Sequence, residues 1–256
     1  MGYSMKIISL IIALIIFINI NIFAEEAATE TADNSSCSLV LGQDPSFGFY
    51  PSIYGSFGLQ ENMSFTYYGV FWTSPQTGTA ALPGLNLLTE MGVGLSFSMA
   101  DGAFAVSPSL GLAHGVFQSG SERPVFADNI VPSLTLGYYN GKFSASTYAI
   151  YWLASRKEGQ VQYDLLEYNL QCGYDMSKRV NLGLFFDYLM ITTKQNDESE
   201  TVSSYMWLGP SIKFTVKNTN LWFSTGLDLI DYINNDIPDD DKIIKEYYKM
   251  TASFTF

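Results

Sequence analysis

The stretch Glu246-Tyr247-Tyr248-Lys249-Met250-Thr251-Ala252-Ser253-Phe254-Thr255-Phe256 decides the fold. Tyr248, Met250, Ala252, Phe254 and Phe256 share one face, and Lys249, Thr251, Ser253 and Thr255 share the other. That period of two belongs to a strand with one apolar and one wet side. Working back from it, the same alternation recurs in runs separated by turn signals. Phe47, Phe49, Ile53, Phe57 and Leu59 oppose Tyr50, Ser52, Tyr54 and Ser56. Residues 63–72 put Phe65, Tyr67 and Phe71 outward, and 87–99 put Met91, Val93, Leu95 and Phe97 outward against Glu90, Gly92, Gly94 and Ser96. Parity then changes, with Phe104, Val106, Leu110 and Leu112 outward. Residues 130–139 meet 143–153 across Asn140-Gly141, a two-residue hairpin signal. Two further pairs follow, 163–174 with 180–193 and 202–216 with 221–233.

The amino end reads differently. Residues 1–24 carry one charge, Lys6, then an apolar run over 7–18, and close on Ala24 before Glu25-Glu26, the pattern of a cleaved secretory signal peptide. Residues 25–36 are small, polar and acidic, a disordered leader. No later run approaches the ~20 apolar residues of a membrane helix, so a mature chain that crosses a bilayer does so with strands. The formal charge is −12 and becomes −13 when Lys6 leaves with the signal, which excludes nucleic acid as a partner. The acids of 25–33, 197–200 and 236–241 fall in the leader and predicted loops, where they solvate the chain. None has the spacing of a calcium loop, and no metal or cofactor is expected.

A terminal aromatic after such alternation resembles the closing strand of bacterial outer-membrane β-barrels, in which that residue is read by the assembly machinery. The resemblance implies an all-β, closed antiparallel transmembrane barrel over 37–256 in the outer membrane of a Gram-negative bacterium. It also implies both termini in the periplasm, Tyr248, Phe254 and Phe256 as assembly signal, and membrane lipid and the assembly machinery as partners. Counting from residue 47 gives eleven strands joined by alternating short and long connections. Single-chain bacterial barrels have even strand numbers, so 37–42, turning at Gln43-Asp44-Pro45, is expected as the twelfth. The alternative is ten or eleven strands with the amino-terminal segment in the lumen.

Pro51-Ser52, Pro108-Ser109, Pro132-Ser133 and Pro210-Ser211 all fall inside predicted strands with Pro outward. A closed barrel has no edge, so each Pro removes a ladder donor and should leave a neighbouring carbonyl unpaired or force a bulge. Cys37 and Cys172 are not expected to pair, since Cys172 has lipid-facing parity far around the sheet from the amino-terminal segment. Nor does Asn34-Ser35-Ser36 before Cys37 form a lipobox.

His114 is the one histidine, and its parity points it at lipid. Outer-membrane phospholipases, within the class resembled, place Ser two residues after such a His. Here that residue is Val116, and Ser119 and Ser121 fall in a loop, so no enzyme and no catalytic residue is expected.

The lumen holds more information. Glu90, Lys142, Glu167, Asn169, Gln171, Asp187, Lys213, Asp228 and Lys249 are expected there with many rings, among them Tyr54, Trp152, Trp207, Trp222 and Tyr232. Either the rings lean over inward glycines such as Gly92, Gly94, Gly111, Gly137, Gly209 and Gly226 and fill the barrel, or rings and charges line a narrow passage. Unpaired charge in a dry wall is costly, which favours the passage. The function expected is a narrow channel for small polar or aromatic solutes, with a closed structural or surface-contact barrel as the alternative.

Overall fold

Alternating runs become strands because their backbone N–H and C=O groups, denied water in lipid, must pair sideways with a neighbour. The computed structural model describes residues 35–72, 88–115, 129–155, 162–195, 198–233 and 242–256. Its strands are β1 (Ser35–Asp44), β2 (Gly48–Gln60), β3 (Met63–Trp72), β4 (Leu88–Met99), β5 (Phe104–Gly115), β6 (Asn129–Asn140), β7 (Phe143–Ala154), β8 (Gln162–Ser177), β9 (Val180–Gln195), β10 (Glu198–Val216), β11 (Thr219–Asp228) and β12 (Lys245–Thr255). One short helix, α1 (Ile230–Ile233), follows β11. Among the described residues no helix is long and apolar enough to cross a membrane.

Consecutive strands pair antiparallel, and β1 closes the ring. Leu39 pairs with Ile53 of β2 and with Phe254 of β12, so no edge remains. The twelfth strand is therefore present, beginning at Ser35, and a ten- or eleven-stranded wall is excluded. Both ends of the wall sequence meet at one rim, where the Phe256 N–H donates to the Cys37 carbonyl at 2.8 Å. That rim also carries the turns 60–63, 99–104, 140–143, 177–180 and 216–219 and is termed the turn end; the opposite rim, which holds the turn from β1 to β2, is the loop end. The readings made for residues 1–34, for most of the loops and for Ser119 and Ser121 lie outside the described residues.

The hairpin at Asn140-Gly141 forms as expected, closed by the Asn140↔Phe143 pair, with Gly141 taking the positive φ of 63°. The prolines also behave as their chemistry demands. Each keeps a continuous ladder on one side and loses it on the other. Pro108 pairs with Leu134 of β6, while the β4–β5 register skips from Gly94↔Ser109 to Phe97↔Val106. Pro132 pairs with Leu110, while β6–β7 skips from Ile130↔Leu153 to Ser133↔Ile150. Pro210 pairs with Leu184, while β10–β11 skips from Leu208↔Leu227 to Ser211↔Ser224. Without an N–H, each proline interrupts the ladder on the side its nitrogen faces and leaves the other side intact.

The outer face is apolar, and near the turn end it carries aromatic rings in contact. Phe57 stacks on Phe65 at 5.2 Å, and Phe104 lies 4.8 Å from Tyr138, which in turn neighbours Phe143. Such girdles suit the interfacial region of a bilayer. Cys37 and Cys172 are both free; on the shorter way round, β12, β11, β10 and β9 stand between their strands.

Two expectations about facing are corrected. Phe47, expected on the outer face, is buried against the inward Trp72 ring at 4.6 Å. The Asp44 carboxylate turns the chain there by accepting the N–H groups of Ser46 and Phe47, which breaks the period of two. Tyr232, expected in the wall, belongs to α1 and is exposed.

Candidate constriction in the barrel lumen

A ring of buried side chains crosses the interior toward the loop end. Val70, Glu90, Ala113, Val131, Ile150, Trp152, Leu165, Leu189, Trp207, Ser224 and Tyr247 each come from the inward face of their strands, and Asp44 and Tyr50 complete the ring on β1 and β2. Trp152 and Trp207 are 2% exposed and Leu189 1%. All four tryptophans of the chain belong to this layer, Trp72 and Trp222 packing against it, so none serves the outer girdle. Trp207 is sandwiched between Tyr205 at 3.9 Å and Tyr247 at 4.8 Å with nearly parallel planes.

Toward the turn end the interior is looser. Tyr54, whose ring stacks on the inward Tyr68 at 6.3 Å, is 43% exposed, and the inward Thr135, Tyr139 and Ser146 are exposed too. The barrel is thus a vestibule at one end and a packed layer at the other.

Charge is set into that boundary. The Lys249 ammonium donates to Asp187 Oδ2 at 3.1 Å and lies 5.1 Å from the centroid of the Phe185 ring. Asp187 is fully buried, and the ammonium also feels the carboxylates of Asp44 and Glu167. Further round, Glu90 Oε1 accepts the Tyr68 hydroxyl at 2.7 Å. Two glycines make that bond possible, because a Cβ at Gly92 would fall 2.4 Å from the Tyr68 ring and one at Gly111 2.3 Å from its hydroxyl. Rings leaning over glycines are therefore present here, but they coexist with the charges.

Glu167, Asp187 and Lys249 come together as one cluster, with Glu90, Trp152, Trp207 and Trp222 in or against the same layer. Asn169 and Gln171 follow Glu167 along the inner face of β8 toward the turn end, pairing with Asp187 and Phe185. Lys213 faces inward lower down, between Asn181 and Trp222 in the register, away from the cluster. Asp228 sits at the loop-end rim, where its Oδ1 accepts the N–H groups of Met206 and Ile230 and anchors α1. Lys142 is the one residue misplaced: it lies in the β6–β7 turn, exposed, with its ammonium over the outward Tyr174 ring at 5.8 Å. A turn residue need not keep the parity of the strand it precedes. Tyr248, Phe254 and Phe256 point outward on or beside β12. His114 faces outward near the loop end of β5, its carbonyl accepting from Thr89 Oγ1 at 3.4 Å.

Asp44 and Phe185 were not singled out from sequence. Both carry the inward parity of their strands, Asp44 after Val40 and Gly42, Phe185 before Asp187. The Asp44 signal was masked by its place beside a Pro turn, and that of Phe185 by its being one apolar residue among many.

No curated protein sequence matches the chain. Among solved structures, it is similar to the COG4313 outer membrane channel from Pseudomonas putida F1, with a TM-score of 0.57 at 7% identity, over 91% of this chain and 100% of that one. It is also similar to the NanC porin, with a TM-score of 0.51 at 10% identity, over 85% of this chain and 98% of that one. Likeness at such identities establishes the fold, that of bacterial outer-membrane β-barrels. Residues 5–256 match the model of a family of unknown function, DUF6733, and the chain belongs to that family.

Proposed function

We propose that the protein is an outer-membrane channel, narrow and restricted to small solutes, with a preference for neutral or cationic ones. The observation that carries this reading is the charge in the packed layer. Asp44, Glu90 and Asp187 are buried there, Glu167 adjoins them, and Lys249 is the one ammonium described at their level. A barrel built only to be full would be packed with neutral side chains, since stripping water from an unpaired carboxylate costs several kcal/mol. The excess acid makes the wall repel anions and attract cations at the narrowest point.

The second reading, a closed barrel serving as structure or contact surface, has its own observation. Trp152, Leu165, Leu189 and Trp207 leave almost no accessible surface in the layer. A solute passes only if these side chains give way, which sets the passage at the scale of small molecules. The proposal also has the turn end and both termini in the periplasm and the outward Tyr248, Phe254 and Phe256 as the mark recognised during assembly.

Proteoliposome swelling tests the choice. Vesicles carrying the purified protein are expected to swell in isotonic arabinose, which protein-free vesicles exclude, and to stay unchanged in a trisaccharide. Vesicles that swell in arabinose no faster than protein-free ones would favour the closed barrel.

A further inference from the structure

We propose that Asp187, with Glu167, Asp44 and the face of Phe185, forms a binding site for the ammonium group of a small organic cation, and that Lys249 occupies this site as a tethered competitor. The proposal deepens the channel reading by naming the solute class, and it takes from that reading only the route of entry.

The geometry carries the site. Asp187 is 0% exposed, and its Oδ2 accepts from Lys249, while Oδ1 has no well-formed hydrogen bond although the Tyr205 hydroxyl lies close to the carboxylate. An ionised carboxylate can accept about four hydrogen bonds, and a buried one left partly unsatisfied is costly. An ammonium brings three donors, so one placed between the two oxygens satisfies more of this carboxylate than Lys249 does from its fixed anchor on β12. Charge points the same way, because the carboxyl groups of Asp44 and Glu167 also act on the Lys249 ammonium.

The ring decides between classes of cation. Phe185 is held edge-to-face by Trp222 at 4.9 Å and 71°, which fixes its own face toward the Lys249 ammonium. An aromatic face attracts ammonium groups and packs against their carbon stems. A divalent metal would instead require a shell of six or more oxygens at close range, and no metal-holding group occurs among the described residues. The Lys249 side chain is 15% exposed while Asp187 is closed off. An arriving solute therefore meets the tethered cation first and must displace it.

Isothermal titration of the full-length protein, folded in detergent, with 1,4-diaminobutane tests this, using 1,4-butanediol as the neutral molecule of equal length. Wild type is expected to bind the diamine weakly. Lys249→Met should bind it at least tenfold more tightly, Asp187→Asn should show no binding, and the diol should bind to none of them. If Lys249→Met fails to give a heat-modifiable barrel, Lys249→Gln, which keeps a donor for Asp187, serves in its place with the same expected direction. No gain in the Lys249 variant, diamine binding by Asp187→Asn equal to wild type, or diol binding equal to diamine binding would each overturn the site. Diamine binding by a protein that does not swell vesicles would sink the channel and leave the site standing. Swelling without diamine binding would do the reverse.

Discussion

Gly209→Val is expected to leave no folded barrel, whereas Gly137→Ala folds as the parent does. A Cβ at Gly209 would lie 2.0 Å from the carbonyl oxygen of Thr225 and 2.7 Å from the Gly226 Cα, both backbone atoms of the neighbouring strand. Backbone cannot step aside as a side chain can, and the β10–β11 ladder is already interrupted there beside Pro210. A shift large enough to admit valine would break the pairs that flank the gap. At Gly137 the added methyl meets the Ala105 methyl at 3.6 Å, an ordinary contact. Heat-modifiable migration on unboiled gels reads both variants. A normal shift for Gly209→Val would show that these two strands are not closely apposed in the way described.

Trp207→Ala is expected to widen the passage, raising unitary conductance several-fold in planar bilayers. The ring is stacked on both faces and 2% exposed, so its removal opens space across the layer while leaving the Lys249–Asp187 pair in place. The cost in stability is about 3–5 kcal/mol, the usual penalty for truncating a buried Trp. A closed ladder of twelve strands can bear that loss and still fold. Trp152→Ala should act in the same direction, since Trp152 belongs to the same layer from β7. Conductance unchanged in both variants would mean that ions do not cross this layer.

Parity accounts for how much was legible in the sequence. A strand in a barrel has only two faces, so a period of two assigns almost every residue at once: Glu90, Glu167, Asp187, Lys249 and all four tryptophans lie on the inward face of their strands. Even the disruptive prolines follow from local chemistry, because a missing N–H must fall somewhere in a closed ladder. Parity fails where the chain leaves the strand. Phe47 and Lys142 both lie in or beside turns, where no alternation constrains them.

It is also silent about which inward residues meet across the barrel. Lys249 reaches Asp187 over the intervening β10 and β11, at a sequence separation of 62. That contact depends on the tilt of the strands and the bore of the ring, which follow from the whole closed set of registers. Likewise, a list of inward rings does not show that they gather toward the loop end and leave Tyr54 open below. The height of each ring is a sum over strand offsets.

The central claim is that the charged layer is a passage that selects by charge. The zero-current potential of single channels across a potassium chloride gradient tests it most directly. The expected result is small unitary steps with a cation preference that weakens in Glu167→Gln and in Asp187→Asn. A bilayer that stays silent after insertion is verified, or channels that prefer chloride, would contradict it.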